Sequence, residues 1–298
     1  MVEAPQRKTA TGNQGLLEQV MKVLVTGYPG LLSKDLVPVL EAEHEVIPLS
    51  IDDLDITRKE EVFKTIETSQ PEVVINCAGY TAVDQAEKDW EEAYRVNALG
   101  VHYLALACQK FKVILCHIST DYVFDGQIRR PYQPWDIPNP ISLYGASKRA
   151  GEFFIEKLLN RYYIIRTSSL YGKHSNNFVK TIINKAEQGG PLTIVCDQIM
   201  SPTWSVNLSQ GILKIIKSDN FGFYHLTDQT DGGISWFDFG QAILKIKGLN
   251  QKILPISCQD LDRPAPRPAY SVLDTRYLTL ATGYSPLHYQ EALERFLK

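Results

Sequence analysis

The sequence predicts an α/β fold, a doubly wound parallel sheet followed by a smaller C-terminal lobe. Three observations carry that prediction. Short runs rich in Val, Ile and Leu alternate with helical stretches of about ten residues or more, the pattern of successive βαβ units. The apolar runs lack a polar/apolar alternation, as strands do when helices cover both faces of their sheet. After about residue 168 the regularity loosens into interrupted segments, which fits a smaller lobe better than a second independent domain. At 298 residues, 44% hydrophobic and 22% charged, the chain is long enough to bury a sizeable core.

Each element follows from its local pattern. Met21–Thr26 (MKVLVT) reads as the first buried strand, Leu31–Glu43 as a helix and Glu45–Leu49 (EVIPL) as the second strand. Arg58–Gln70 is amphipathic, with Val62, Phe63 and Ile66 on one face, and Glu72–Cys77 (EVVINC) is the next strand. Trp90–Lys110 reads as one long helix with Ala93, Val96, Asn97 and Leu104 at helical spacing. Lys112–Ser119 (KVILCHIS) is a strand, Tyr144–Asn160 a helix and Tyr162–Thr167 (YYIIRT) a strand. Beyond these, Asn177–Gln188, Val206–Lys217 and Trp236–Lys247 are helical and Phe223–Leu226 is strand-like. Pro264, Pro266 and Pro268 punctuate a loop. Residues 21–168 thus form the first unit, with later segments at about 204–228 packing back on it, and residues 169–298 mainly the lobe. Residues 1–20 carry no apolar core and read as a disordered extension rather than a secretory signal.

Several function classes are excluded at this level. A net charge of −3 without basic clustering gives no surface for nucleic acid or anionic lipid. No apolar run approaches the roughly 18 to 20 residues of a membrane helix. The five cysteines show no metal-binding spacing, and four sit in or beside apolar stretches, which reads as small core residues in a reducing, cytoplasmic compartment.

Thr26–Ser33 (TGYPGLLS) follows a strand and opens a helix. Gly27 and Gly30 let the backbone approach a pyrophosphate, and the helix N-terminus offers free N–H groups, which makes the first unit a Rossmann-like dinucleotide-binding domain. Ser33 occupies the place of a third glycine. The second strand ends Leu49-Ser50-Ile51-Asp52-Asp53, with neither an acid directly at the strand end nor an arginine. Lys34 reaches a 2′-phosphate or is a solvated helix lysine, so NAD and NADP both stay open.

The sharpest chemistry lies in Tyr144-Gly145-Ala146-Ser147-Lys148, which puts Tyr144 and Lys148 one helical turn apart on one face. A lysine beside the phenol is expected to favour the phenolate and bring the group nearer the range that proton transfer requires. Thr120, at the end of the strand KVILCHIS, is placed to hydrogen-bond a substrate carbonyl or simply to cap a turn. Asn97 is an awkward polar group among apolar neighbours. It holds a water or backbone carbonyl near Lys148, or bonds its own helix.

Together these segments resemble the extended short-chain dehydrogenases, and within them the dTDP-4-dehydrorhamnose reductase family. The resemblance runs from about Met21 to Tyr284 through VTGYPGLL (25–32), VVINCAGYTAVDQAE (73–87), VNALG (96–100), ISTDYVFDG (118–126) and NPISLYGASKRAGE (139–152). It continues through RTSSLYG (166–172), DQIMSPT (197–203) and RPAPRPAYSVLD (263–274). It implies catalytic Thr120, Tyr144 and Lys148. Implied cofactor contacts are Gly27, Gly30, Leu31, Asp55, Ile56, Ala78, Gly79, Tyr80, Tyr144 and Lys148, for NADP or NAD with NADPH favoured. Implied substrate contacts are Thr120, Asp121, Tyr122, Ser169 and Arg267, the last to a diphosphate unless it is only a surface cation. No metal is implied in the site. The resemblance admits a homodimer, and some relatives hold Mg²⁺ at the subunit contact, although no acidic cluster here marks such a site.

The reaction implied is reduction of the 4-keto group of a dTDP-linked 6-deoxy sugar, dTDP-4-dehydro-L-rhamnose to dTDP-L-rhamnose, with Tyr144 as proton donor. Ser169 replaces the family's usual Trp and removes an apolar wall, while Met200 replaces a usual Gly and is expected to alter its loop. These departures keep open a reductase of another nucleotide-activated keto sugar. A non-catalytic subunit similar to the regulatory subunit of methionine adenosyltransferase, and a dinucleotide-binding redox sensor, are the alternatives from other classes.

Overall fold

The computed structural model describes residues 20–298, so the expectation for the leader lies, Val20 apart, outside the described residues. The chain begins with β1 (Lys22–Thr26), α1 (Leu31–Glu41), β2 (Glu45–Leu49), α2 (Lys59–Ser69) and β3 (Val73–Asn76). Short helices α3 (Val83–Ala86) and α4 (Trp90–Tyr94) lead into a π-helical turn, Arg95–Gly100, and then α5 (Val101–Phe111). Next come β4 (Ile114–Thr120), α6 (Leu143–Leu158), β5 (Tyr162–Thr167), β6 (Leu170–Tyr171) and α7 (Phe178–Glu187). They are followed by β7 (Leu192–Val195), β8 (Ile199–Met200), β9 (Thr203–Trp204), α8 (Ser205–Ile216) and β10 (Gly222–His225). The last elements are β11 (Ile234–Ser235), α9 (Trp236–Lys247), β12 (Ile253–Ile256), α10 (Arg276–Thr282) and α11 (Tyr289–Leu297).

Six strands form one parallel sheet in the order β10-β5-β4-β3-β1-β2. Successive side chains of a strand point to opposite faces, so each face needs its own cover. Val23, Val25, Val73 and Ile75 meet Leu36 and Leu40 of α1 and Ile212 and Ile215 of α8. Leu24, Val74, Leu115 and Ile164 meet Val62 and Ile66 of α2, Leu104 and Cys108 of α5, and Ile155 of α6. Each such aliphatic side chain, when fully buried, contributes roughly 1.5–3 kcal/mol. The double cover explains the unbroken apolar strands of the sequence. Strand order reverses around β1, because β2 lies on one side of it and β3 on the other, and a crevice opens there at the carboxyl ends of the strands. A further apolar cluster joins α7, α9 and α11 to β7, with Val179, Ile182, Ile194, Phe239, Ile243 and Leu293 at its centre.

Three expectations need correction. The single helix expected over Trp90–Lys110 is α4, the π turn and α5 in succession. The extra residue in a π turn displaces a side chain from its helical register, and here Asn97 reaches the loop after β3. The cysteines are not all core residues. Cys108 and Cys116 are buried and Cys77 and Cys258 are half-buried, but Cys196 is exposed just past β7, at a turn whose backbone is held by the Ile256 carbonyl. Met200 does not distort its segment. It lies in the short strand β8 opposite Ile234, and its side chain is buried in the cluster around Phe239. Among the described residues no helix is long and apolar enough to cross a membrane.

Candidate active site

A cleft of about 930 Å³ lies over the carboxyl ends of β1, β3, β4 and β5. Its first wall is the β1–α1 loop. Gly27 has φ +74°, and a Cβ there would lie 2.6 Å from the Ala78 backbone nitrogen, so only glycine fits against the neighbouring loop. No side chain caps α1, which leaves its first N–H groups for an anion. Ser33 is buried, and its hydroxyl donates to the carbonyls of Gly27 (2.9 Å) and Gly30 (3.3 Å). The serine in place of a third glycine therefore ties the loop to the helix.

The second wall is the loop after β3. Asn97 accepts from the Tyr80 N–H at 2.9 Å and donates to the Tyr80 carbonyl at 3.0 Å and to Ser147 Oγ at 3.0 Å. It thus joins this loop to α6, the helix of Tyr144 and Lys148. Gly151 of α6 sits against the Asn97 carbonyl, where a Cβ would overlap it. Asn97 thus holds a backbone carbonyl in the loop whose Gly79 lies against Lys148 Nζ, and its side chain bonds that loop and Ser147 rather than its own helix. Its carbonyl partner is Tyr80.

The third wall carries the reactive groups. Ser142 caps α6 by accepting from the Gly145 N–H at 3.1 Å. The first turn of α6 packs tightly on the turn at Asp121–Val123, since a Cβ on Gly145 would overlap the Tyr122 carbonyl. That contact brings Tyr144 beside Thr120, with the Tyr122 and Tyr144 rings edge to face at 5.9 Å. The Thr120 hydroxyl donates to Asp121 Oδ1 at 3.0 Å and accepts from the Tyr122 N–H at 3.2 Å. Ser168 donates to the other Asp121 oxygen at 2.8 Å. Burial pushes the Asp121 carboxyl up to about 6 against these hydrogen bonds.

The expected electrostatics of Tyr144 are reversed by burial. Burial pushes the phenol upward more strongly than a hydrogen bond with Thr120 draws it down. Lys148 Nζ instead donates to the Ile118 carbonyl at 2.6 Å. The phenol, protonated at neutral pH already at its ordinary value, is held more firmly in the state a proton donor requires. Burial brings Lys148 down to about 8, opposed by Glu152 and Cys77.

Gly27, Gly30, Leu31, Asp55, Ile56, Ala78, Gly79, Tyr80, Thr120, Asp121, Tyr144, Lys148 and Ser169 all line this one cleft. Ser169 is half-buried at φ +49°. Tyr122 and Arg267 instead line an adjoining cavity of about 490 Å³, with Asp84, Phe178, Lys185, Trp236 and Arg263. The Arg267 guanidinium already holds Asp84 at 2.7 and 3.0 Å. Lys34 is exposed on α1 and is not part of the cleft wall.

Sequence reasoning assigned no role to several groups that hold the site. Arg166 and Glu152 form a fully buried two-point ion pair at 2.8 and 2.9 Å, tying β5 to α6. Arg95, from the π turn, donates to Thr57 at 2.6 Å beside the cleft. His117 and Asn76 lie fully buried behind Lys148. A charged residue in an apolar strand, Arg166 in YYIIRT, was the one local signal among these.

The cleft fits a dinucleotide on its own geometry: a glycine cradle, an uncapped helix N-terminus, and a buried lysine at the far end. Comparison with known proteins agrees. The chain matches the RmlD substrate binding domain family over residues 21–298. It is 40% identical over 278 residues to the spore coat polysaccharide biosynthesis protein SpsK of Bacillus subtilis, covering 93% of this chain and 97% of that one. It is 38% identical over 288 residues to a dTDP-4-dehydrorhamnose reductase of Aggregatibacter actinomycetemcomitans, covering 92% and 97%. Among solved structures, a dTDP-4-dehydrorhamnose reductase of Bacillus anthracis in complex with NADP superposes with a TM-score of 0.90 at 39% identity, covering 93% of this chain and 99% of that one.

Proposed function

The chain belongs to the RmlD substrate binding domain family, and from that premise we propose that it reduces the 4-keto group of a dTDP-linked 6-deoxy sugar, converting dTDP-4-dehydro-L-rhamnose to dTDP-L-rhamnose. It is an NAD(P)-dependent oxidoreductase of the extended short-chain dehydrogenase type. The observation that carries the reading is the meeting of Thr120, Tyr144 and Lys148 at one end of a cleft whose other end is a dinucleotide cradle.

NADPH, when bound, supplies the hydride. Gly27, Gly30 and the N–H groups opening α1 would hold its pyrophosphate, with Ala78, Gly79 and Tyr80 as the facing wall. Lys148 would hold the nicotinamide ribose. The Thr120 hydroxyl, held in place by Asp121 and the Tyr122 N–H, turns its proton to the keto oxygen and orients it. Tyr144 Oη then gives its proton to that oxygen as it becomes the new hydroxyl.

The adjoining cavity suits the nucleotide end of the substrate. The Phe178 and Trp236 rings, 4.6 Å apart, offer an aromatic wall, and Lys185, Arg263 and Arg267 supply positive charge for a diphosphate. Because Arg267 is paired with Asp84, a diphosphate there shares a guanidinium already positioned by that carboxylate. The same reading places the enzyme in the cytoplasm, where the buried thiols of Cys108 and Cys116 stay reduced.

Ser169 favours one second reading, a reductase of a different nucleotide-activated keto sugar, because it leaves the wall of the sugar pocket open where an indole is usual. Purified protein with NADPH and either dTDP-4-dehydro-L-rhamnose or a UDP-linked 4-keto sugar separates the two. NADPH consumption with the dTDP sugar is expected. Turnover of the UDP sugar alone selects the second reading, and turnover of neither sugar overturns the first.

A further inference from the structure

Behind Lys148 a chain of buried polar groups crosses the sheet. The Thr26 hydroxyl donates to Asn76 Oδ1 at 2.6 Å, and the Ala78 backbone N–H reaches the same oxygen at 3.2 Å. Asn76 Nδ2 lies 3.0 Å from His117 Nδ1, and His117 Nε2 lies 3.4 Å from Lys148 Nζ. Thr26, Asn76, His117 and Lys148 are all at most 5% exposed, so water does not relieve a mismatch along the chain.

The protons can be assigned by following the donors. A backbone N–H only donates, so Ala78 fixes which end of the Asn76 amide is oxygen. The Asn76 NH₂ therefore faces His117 Nδ1, which must accept. Burial holds His117 far below its usual range, so the ring is neutral and its single proton is on Nε2. That N–H points at Lys148 Nζ. A charged ammonium there sets two donors face to face, whereas a neutral amine accepts from His117 and still donates to the Ile118 carbonyl.

We propose that His117 is a positioning residue that couples the charge of Lys148 to the cofactor loop: its Nε2–H favours the neutral amine, and protonating Lys148 costs a hydrogen bond along the chain that ends at Ala78. If the ring turns over to Nδ1–H, Asn76 must flip to meet it, and the Ala78 N–H loses its acceptor. Ala78 and Gly79 line the cleft with Lys148, and a Cβ on Gly79 would lie 3.8 Å from Nζ, so the two ends of the chain face the same cleft. The other groups near Nζ are Glu152 and Tyr144 of α6 and Cys77 after β3, of which Glu152 and Cys77 favour the charged form. This rests on the reading of the cleft as a dinucleotide site and not on the identity of the sugar.

The sign follows. A ligand whose ribose hydroxyls accept from Lys148 prefers the ammonium, so its affinity is full below the lysine's ionisation, which burial brings to about 8, and falls as pH rises through it. NADPH affinity of the full chain, measured by fluorescence across pH without sugar, is expected to weaken above that point. In His117→Leu the opposing donor is gone, and the break moves up by about one pH unit. His117→Gln, which presents an oxygen to Asn76 and an NH₂ to Lys148, keeps the break where the wild-type has it. A break unmoved in His117→Leu, or affinity lost equally at every pH, overturns the proposal. Should that variant not fold, the ¹⁵N-histidine spectrum of the wild-type decides. His117, assigned by its loss in His117→Gln, is expected to carry its proton on Nε2 above about pH 8, where the Lys148 amine is neutral, and a proton on Nδ1 there overturns the proposal. Absence of NADPH binding would contradict the dinucleotide reading instead and leave the tautomer result standing.

Discussion

Tyr144→Phe is expected to slow sugar reduction by roughly 10²- to 10⁴-fold, the usual worth of a positioned proton donor, while NADPH affinity changes little. The phenol is protonated at neutral pH already at its ordinary value, burial moves it further up, and it stands beside Thr120 at the cleft wall. Phenylalanine keeps the edge-to-face contact with Tyr122, so the wall retains its shape. Thr120 keeps Asp121 and the Tyr122 N–H as partners. Single-turnover oxidation of bound NADPH separates the chemical step from binding. A wild-type rate in this variant would place proton delivery elsewhere, with the buried carboxyl of Asp121 the nearest substitute.

Glu152→Gln is expected to cost about 3–5 kcal/mol of stability, because it leaves one partner of a buried ion pair uncompensated. Arg166 is 1% exposed and Glu152 is 0% exposed, and the two share a two-point contact. Glutamine keeps the shape but turns an NH₂ toward a guanidinium that can only donate. Arg166 also lies over the Phe124 and Phe223 rings at 5.0 and 4.5 Å, so it has no path to water without disrupting the core. The melting temperature should fall by roughly 6 to 20 °C. Replacing both members with Met should recover part of the loss, since a well-packed apolar pair removes the stranded charge. A fall of less than about 1 kcal/mol in the single variant, the range of exposed pairs, would show that the pair is solvated.

Much of the fold was legible because a parallel sheet covered on both faces demands unbroken apolar strands. EVIPL and YYIIRT, and the helix Trp236–Lys247, have the bounds that their patterns suggest. The π turn was not legible, because inserting one residue leaves the apolar spacing of Ala93, Val101 and Leu104 close to helical. Asn97 was the visible irregularity, and its purpose depends on Tyr80, which no local pattern connects to it.

For the candidate site, the loops at the carboxyl ends of the strands indicated which residues share a cleft. What they did not indicate was pairing across the chain. Arg267 finds Asp84, and Glu152 finds Arg166, through tertiary packing alone. The ionisation of Tyr144 was read from the spacing of a lysine, whereas the folded chain sets it by burial and sends that lysine to Ile118. Spacing shows which groups are neighbours; the direction of a shift depends on how much water is excluded around them.

Hydride delivery to the 4-keto carbon is read most directly with NADPH deuterated at nicotinamide C4, dTDP-4-dehydro-L-rhamnose as substrate, and NMR of the product. Reduction of the 4-keto group predicts dTDP-L-rhamnose with deuterium at sugar C4. NADPH consumption without that product, or deuterium at any other sugar carbon, would contradict it.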